Sequence, residues 1–307
     1  MKIEQYLKNL STPKGKIDVV LDTDAYNEID DQFAIAYMLR SQDKLNIKGF
    51  CAAPFSGNNR CESDPEYGMV KSYEELKKIV KLAGNDEFLD KIYRGSTRYL
   101  PDENTPVESE AARFMAELAK DYSPEKPLYI VAIGAITNVA SAILMNPAMK
   151  ENTVIVWLGG HALHFVDNNE FNLRQDVAAA RIIFGCGVPF VQLPCCGVVD
   201  RFATSRYELE YWLKGKNELC DYLVENTIEE AESYAAGKPW TRVIWDVTAV
   251  AWLLNDDGRL MSDVLKHSPI PEYDNRYSYD DRRHFYTYVY AVNRDRLFAE
   301  LFNKLTK

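Results

Sequence analysis

Residues 18–40 read DVVLDTDAYNEIDDQFAIAYMLR, which sets four carboxylates, Asp22, Asp24, Asp30 and Asp31, at the end of an apolar strand. Carboxylates a few Å apart cannot all stay ionised unless something positive sits among them. A helix start explains one or two acidic residues, since they cap free N–H groups and suit the helix dipole. Four exceed that need, and the residue types point to a bound divalent cation. Hard oxygen ligands select Ca²⁺ or Mg²⁺ rather than zinc. The ligand and glycine spacing of an EF-hand loop is absent.

One rival chemistry is that of haloacid dehalogenase-type phosphatases, whose nucleophile and acid/base aspartates stand two apart after the first strand, as Asp22 and Asp24 do. In that type small turn-forming residues follow, whereas here Ala25-Tyr26-Asn27-Glu28 come next. Its later lysine and paired aspartates are not evident either.

The elements that must position these groups alternate. Apolar, β-branched runs at 17–21, 46–53, 128–133, 153–158 and 188–193 are separated by helical patterns near 30–40, 66–83, 108–120, 137–145 and 176–185. Such alternation predicts an α/β fold with a mainly parallel, Rossmann-like central sheet flanked by helices on both faces. Sheets of this kind bind ligands at the carboxyl ends of their strands. Residues 204–254 read as helical, and 267–286 as strand and loop. No repeat, low-complexity tract or linker divides the chain, so one domain over 1–307 is expected.

On these residues the chain resembles the nucleoside hydrolases, calcium enzymes that cleave the N-glycosidic bond of ribonucleosides. Their opening motif DxDPGxDD is similar to Asp22-Thr23-Asp24 followed by Asp30-Asp31, although Ala25–Ile29 makes the intervening loop two residues longer. Ser56-Gly57-Asn58 looks like the family's glycine-asparagine pair, and IVAIGAITNVASAI (130–143) like its GPLTN segment. VIVWLGG (154–160) resembles the next strand with its two glycines. Glu170-Phe171-Asn172 with Asp176 and Ala178-Ala179-Ala180 is similar to EFN…DPEAA, and Asp246 stands where a late aspartate opens a helix. Five matches in the family's order make the signal specific.

Carried over residue by residue, the resemblance implies Asp24, Asp31, Asp246 and the backbone carbonyl of Ile133 as Ca²⁺ ligands. Asp24 would also be the general base. Calcium takes six to eight oxygens, so water and ribose hydroxyls would complete the set. Asp30, Asn58, Glu170 and Asn172 would hold the ribose, with Asn58 shaping a turn and Glu170 capping a helix as the bland alternatives. A further sugar-binding asparagine upstream of EFN has Asn168, Asn169 or His164 as candidates, of which Asn168 is the one carried forward. Many members place a leaving-group histidine directly before the late aspartate, where this chain has Trp245. Indole cannot supply a proton at working pH; an aromatic there resembles the family's purine-preferring branch, which implies stacking on a purine base, with core packing beside Val243 and Val247 as the bland alternative.

Composition narrows the partners. With 36 basic and 46 acidic residues the formal charge is −10, which argues against nucleic-acid polymers and anionic membranes. A small ribonucleoside fits better. The six cysteines show neither CxxC pairing nor zinc spacing and read as reduced, mostly buried thiols. No secretory signal or membrane span is recognisable, so a soluble, cytoplasmic protein is expected. The family resemblance implies a dimer or tetramer. Alternatives to ribonucleoside hydrolysis are hydrolysis of another N-ribosyl compound and a non-catalytic ribose- or nucleoside-binding protein.

Overall fold

The computed structural model describes residues 1–307. Its centre is an eight-stranded sheet built from β1 (Ile17–Thr23), β2 (Leu45–Ala52), β3 (Ile92–Arg94), β4 (Leu128–Ala132), β5 (Thr153–Leu158), β6 (Phe190–Leu193), β7 (Met261–His267) and β8 (Phe285–Val292). The spatial order is β3-β2-β1-β4-β5-β6-β8-β7. Every pairing is parallel except β7 with β8. The strand order reverses between β1 and β4, the place where doubly wound sheets open a ligand crevice.

Successive side chains of a strand point to opposite faces, and here both faces are dry. Val19, Leu21, Val131, Val156 and Val191 belong to one apolar core, while Val20, Ile130, Ile155 and Phe190 belong to the other. The first core receives the Asp31–Leu39 and Val247–Leu253 helices, which are buried along their whole length. A helix that is apolar all round has no solvent face, so it must sit inside. The second core receives the helices Glu110–Leu118, Thr137–Met145 and Val177–Gly185.

The five expected strands and five expected helices all form, with ends shifted by a residue or two. Residues 204–254 are less uniformly helical than their pattern implies. Helices Arg206–Trp212 and Glu218–Ala235 are followed by a short strand, Arg242–Val243, paired with Ala203–Thr204. In 267–286, Ile270–Pro271 pairs with Tyr277–Ser278 before β8 begins. No helix is long and apolar enough to cross a membrane.

Candidate active site

The carboxyl ends of β1, β4, β5 and β6 converge on one cavity of about 180 Å³. Asp24 follows β1, Ile133 follows β4, His161 follows β5, and Cys195 and Cys196 follow β6. Two buried helices aim their first turns at the same place, bringing Asp30 and Asp31 from one and Asp246 from the other. Asn27, Glu28, Leu158, Asn169, Glu170, Phe171, Asn172 and Trp245 complete the lining.

Asp30 and Asp246 occupy helix N-cap positions, yet neither side chain makes a capping hydrogen bond. Capping therefore does not explain them. Glu170 and Asp176 do cap their helices. The Glu170 carboxylate accepts from the backbone N–H groups of Asn172 (2.9 Å) and Leu173 (2.8 Å), and also of Gly160 (2.8 Å). Asp176 accepts from Leu100 and Ala179 N–H and from the Thr137 hydroxyl, which makes it a structural tie behind the cavity.

Oxygens of Asp30, Asp31 and Asp246 lie within 4.8 Å of one another. Asp31 accepts from the Thr23 hydroxyl, and the Asp246 N–H donates to Asp30 at 3.3 Å. Asp24 is 1 % exposed, and neither of its carboxylate oxygens has a partner. Gly134 permits its placement, because a Cβ there would stand 3.0 Å from the Asp24 carboxyl. The indole of Trp157 fixes that stretch by donating to the Gly134 carbonyl at 3.0 Å.

Burial first, and the mutual repulsion of Asp24, Asp30 and Asp31 second, hold the Asp24 carboxyl well above the usual range. Burial with the Glu28 and Asp31 charges does the same to Asp30, and burial with Asp30, Asp31 and Asp24 does so to Asp246. Asp31 is pushed up to about 7 by burial, against the lowering effect of the Thr23 hydrogen bond. Ionising all four needs positive charge among them. The Arg242 charge favours ionised Asp30, but its guanidinium is already paired with Glu28 (2.7 Å) and Glu230 (3.2 Å). The donor set, buried carboxylates beside the Ile133 carbonyl, fits a hard divalent cation.

Asp22 stands apart. It accepts from Asn138 at 2.8 Å, burial pushes it up to about 7, and it does not line the cavity, so the Asp22/Asp24 pair of the phosphatase reading does not assemble. Asn58 also lies outside. Its Oδ1 accepts from Arg60 and Cys61 N–H and its amide nitrogen donates to Asn27, so the turn at 57–61 uses the side chain. Asn58 instead lines a larger polar cleft of about 750 Å³ that shares Asn27 and Glu28 with the cavity. Asn168 sits behind the wall, accepting from His161 N–H at 2.6 Å, while Asn169 faces the cavity. Asn172 lines it and donates to the Leu158 carbonyl at 3.1 Å and towards that of Ile133 at 3.4 Å. Trp245 is half-buried, packing on the first core with one part and lining the cavity with another.

Asn27, Glu28, Leu158, Phe171, Cys195 and Cys196 line the cavity without having been read as site members, and His161, in the loop after the glycine pair, joins them. Burial pushes both thiols up, reinforced at Cys195 by the Glu170 charge and at Cys196 by that of Asp200, so they stay protonated at neutral pH. The position of the two cysteines two or three residues past a strand end was the available signal.

The mostly parallel sheet with a carboxylate cavity at its switch point defines an α/β protein whose donor set could hold a hard cation. The chain belongs to the nucleoside hydrolase family: the model described as inosine-uridine preferring nucleoside hydrolase matches residues 19–295. A pyrimidine-specific ribonucleoside hydrolase of Escherichia coli is 29% identical over 136 residues, covering 42% of each chain. The matched stretches of the curated relatives span only 40–54% of their length. Among solved structures, a purine-preferring ribonucleoside hydrolase from Gardnerella vaginalis superposes with a TM-score of 0.75 at 20% identity, covering 94% of this chain and 98% of that one. A plant nucleoside hydrolase gives 0.73 at 18% identity, covering 94% and 99%.

Proposed function

We propose that this protein hydrolyses the N-glycosidic bond of ribonucleosides, releasing ribose and the free base, with calcium as its cofactor. One observation carries the reading: the carboxylates of Asp30, Asp31 and Asp246 cluster at the strand ends, and Asp24, lining the same cavity, has two oxygens without any protein partner. Asp24, Asp31 and Asp246 with the Ile133 carbonyl would hold the cation; Asp30 clusters with Asp31 and Asp246, and Asp24 faces them across the same cavity. A bound divalent cation lowers the pKa of nearby water and organises the hydroxyls of a sugar.

The remaining roles fall to the chain's own groups. Asp24 takes the proton of the attacking water as the C1′–N bond lengthens through an oxocarbenium-like state. Glu170, pinned by three backbone N–H groups, and Asn172, anchored to the β5 end, hold the ribose hydroxyls without needing to reorganise. Trp245 offers an aromatic face to the base, which favours purines because they present more stacking area.

The test is a panel of inosine, adenosine, uridine, cytidine and p-nitrophenyl riboside, followed by release of reducing sugar with added calcium and with chelator. Turnover of nucleosides that disappears in chelator and returns with calcium is expected, with purines ahead. Tight nucleoside binding without any sugar release would overturn the hydrolase reading.

A further inference from the structure

A departing base leaves as an anion unless it is protonated, and nothing in the late-aspartate segment can do this. Trp245, directly before Asp246, has an N–H that is a hydrogen-bond donor but not an acid at working pH. The cavity's other ionisable groups are carboxylates, which the proposed cation would hold ionised, and the two protonated thiols of Cys195 and Cys196. One lining residue remains, His161, and imidazole is the side chain whose proton exchanges in the neutral range.

The backbone around His161 is fixed from both sides. Gly160, at φ +76, donates its N–H to Glu170, and the His161 N–H donates to Asn168 Oδ1. The ring lies 5.4 Å from that of Phe165. Its Nδ1 is buried with no partner, which is uncommon for a polar atom and points to a group supplied from outside the chain.

We propose that His161 is the acid that protonates the leaving base. As the C1′–N bond breaks, its electron pair passes to the base nitrogen, which takes a proton from the imidazolium of His161. Water forms the new C1′–O bond and gives its proton to Asp24. Exchange with solvent then returns a proton to His161 and removes one from Asp24. The proposal rests on the hydrolase reading above. The other ionisable groups of its cavity are Asp24, Glu28, Asp30, Asp31, Glu170, Cys195, Cys196 and Asp246, with Tyr277 behind Gly160 and His164 on its own loop.

The test compares the parent, His161→Gln and His161→Ala as calcium-loaded full chains, on inosine, uridine and p-nitrophenyl riboside. Nitrophenolate departs without protonation. With His161 as the acid, kcat on the nucleosides falls about 10²–10⁴-fold with KM little changed. The nitrophenyl riboside then keeps its rate within about threefold, and the alkaline limb of the inosine pH profile disappears. Melting temperatures recorded alongside show which variants are folded, and the near-isosteric Gln variant carries the comparison should the Ala variant unfold. Equal losses on both substrate classes, or nucleoside rates that do not fall, would overturn the assignment while leaving the hydrolase reading intact. A parent that cleaves only the nitrophenyl riboside also overturns it, and a parent that cleaves no riboside overturns the hydrolase reading and this one together.

Discussion

Removing the divalent cation should make the stability of this protein depend steeply on pH, with a sign set by buried carboxylates. Asp22 and Asp31 titrate near 7 in the folded protein against about 4 when unfolded, and Asp24, Asp30 and Asp246 are also raised. A raised carboxyl keeps its proton in the native state while the unfolded chain has lost it. Its contribution is therefore fully present at low pH and is lost as pH rises through the folded value. Each such group changes the unfolding free energy by about 1.4 kcal/mol per pH unit. Between pH 5 and 7 Asp22 and Asp31 alone cost the metal-free protein about 5 kcal/mol, a large share of a typical net stability of about 5–15 kcal/mol. Calcium bound as proposed would hold Asp31 and its neighbours ionised and leave only Asp22, so the slope should fall by half or more. Calorimetric melting in chelator and in calcium at pH 5, 6, 7 and 8 measures this. A metal-free protein whose stability is flat or rises over that range, or a slope that calcium does not reduce, would refute the reasoning.

Asp24→Asn should lower kcat on the best nucleoside by about 10²–10⁴-fold or more, while calorimetry still detects nucleoside binding; near-parental turnover would remove Asp24 from the role of base. Trp245→Ala should reduce kcat/KM for inosine about 5- to 100-fold through lost stacking, and more than for uridine, as steady-state rates on both will show. If Trp245 serves the core alone, melting temperature falls and the substrate ranking stays. Arg242→Ala removes the guanidinium paired with Glu28 beside Asp30, so the chelated protein should lose about 1–3 kcal/mol in chemical denaturation. Saturating calcium should recover part of that loss.

The acidic opening was legible because its charge density has no cheap structural explanation; within it Asp30 stands at a helix start without capping it, whereas Asp22 is taken up by Asn138 away from the cavity. The five parallel strands β1, β2, β4, β5 and β6 were legible from continuous β-branched runs, since strands covered on both faces cannot alternate with polar residues. β3 has only three residues, and β7 at the open edge of the sheet exposes most of its side chains, so neither carries a buried-strand pattern. Asn58 resembles a sugar ligand in sequence, but its amide is consumed by its own turn and by Asn27. That competition is a matter of three-dimensional neighbours. His161, Cys195 and Cys196 carry no local motif, and they become site residues only because β5 and β6 end beside β1 and β4.

The central claim, that water attacks the anomeric carbon of a ribonucleoside in this cavity, is tested most directly by turnover in H₂¹⁸O. The calcium-loaded protein should release ribose carrying one ¹⁸O from the solvent together with unlabelled base, as read by mass spectrometry, and chelator should abolish both products. Nucleoside recovered intact after prolonged incubation with calcium, or ribose released without solvent oxygen, would contradict the account.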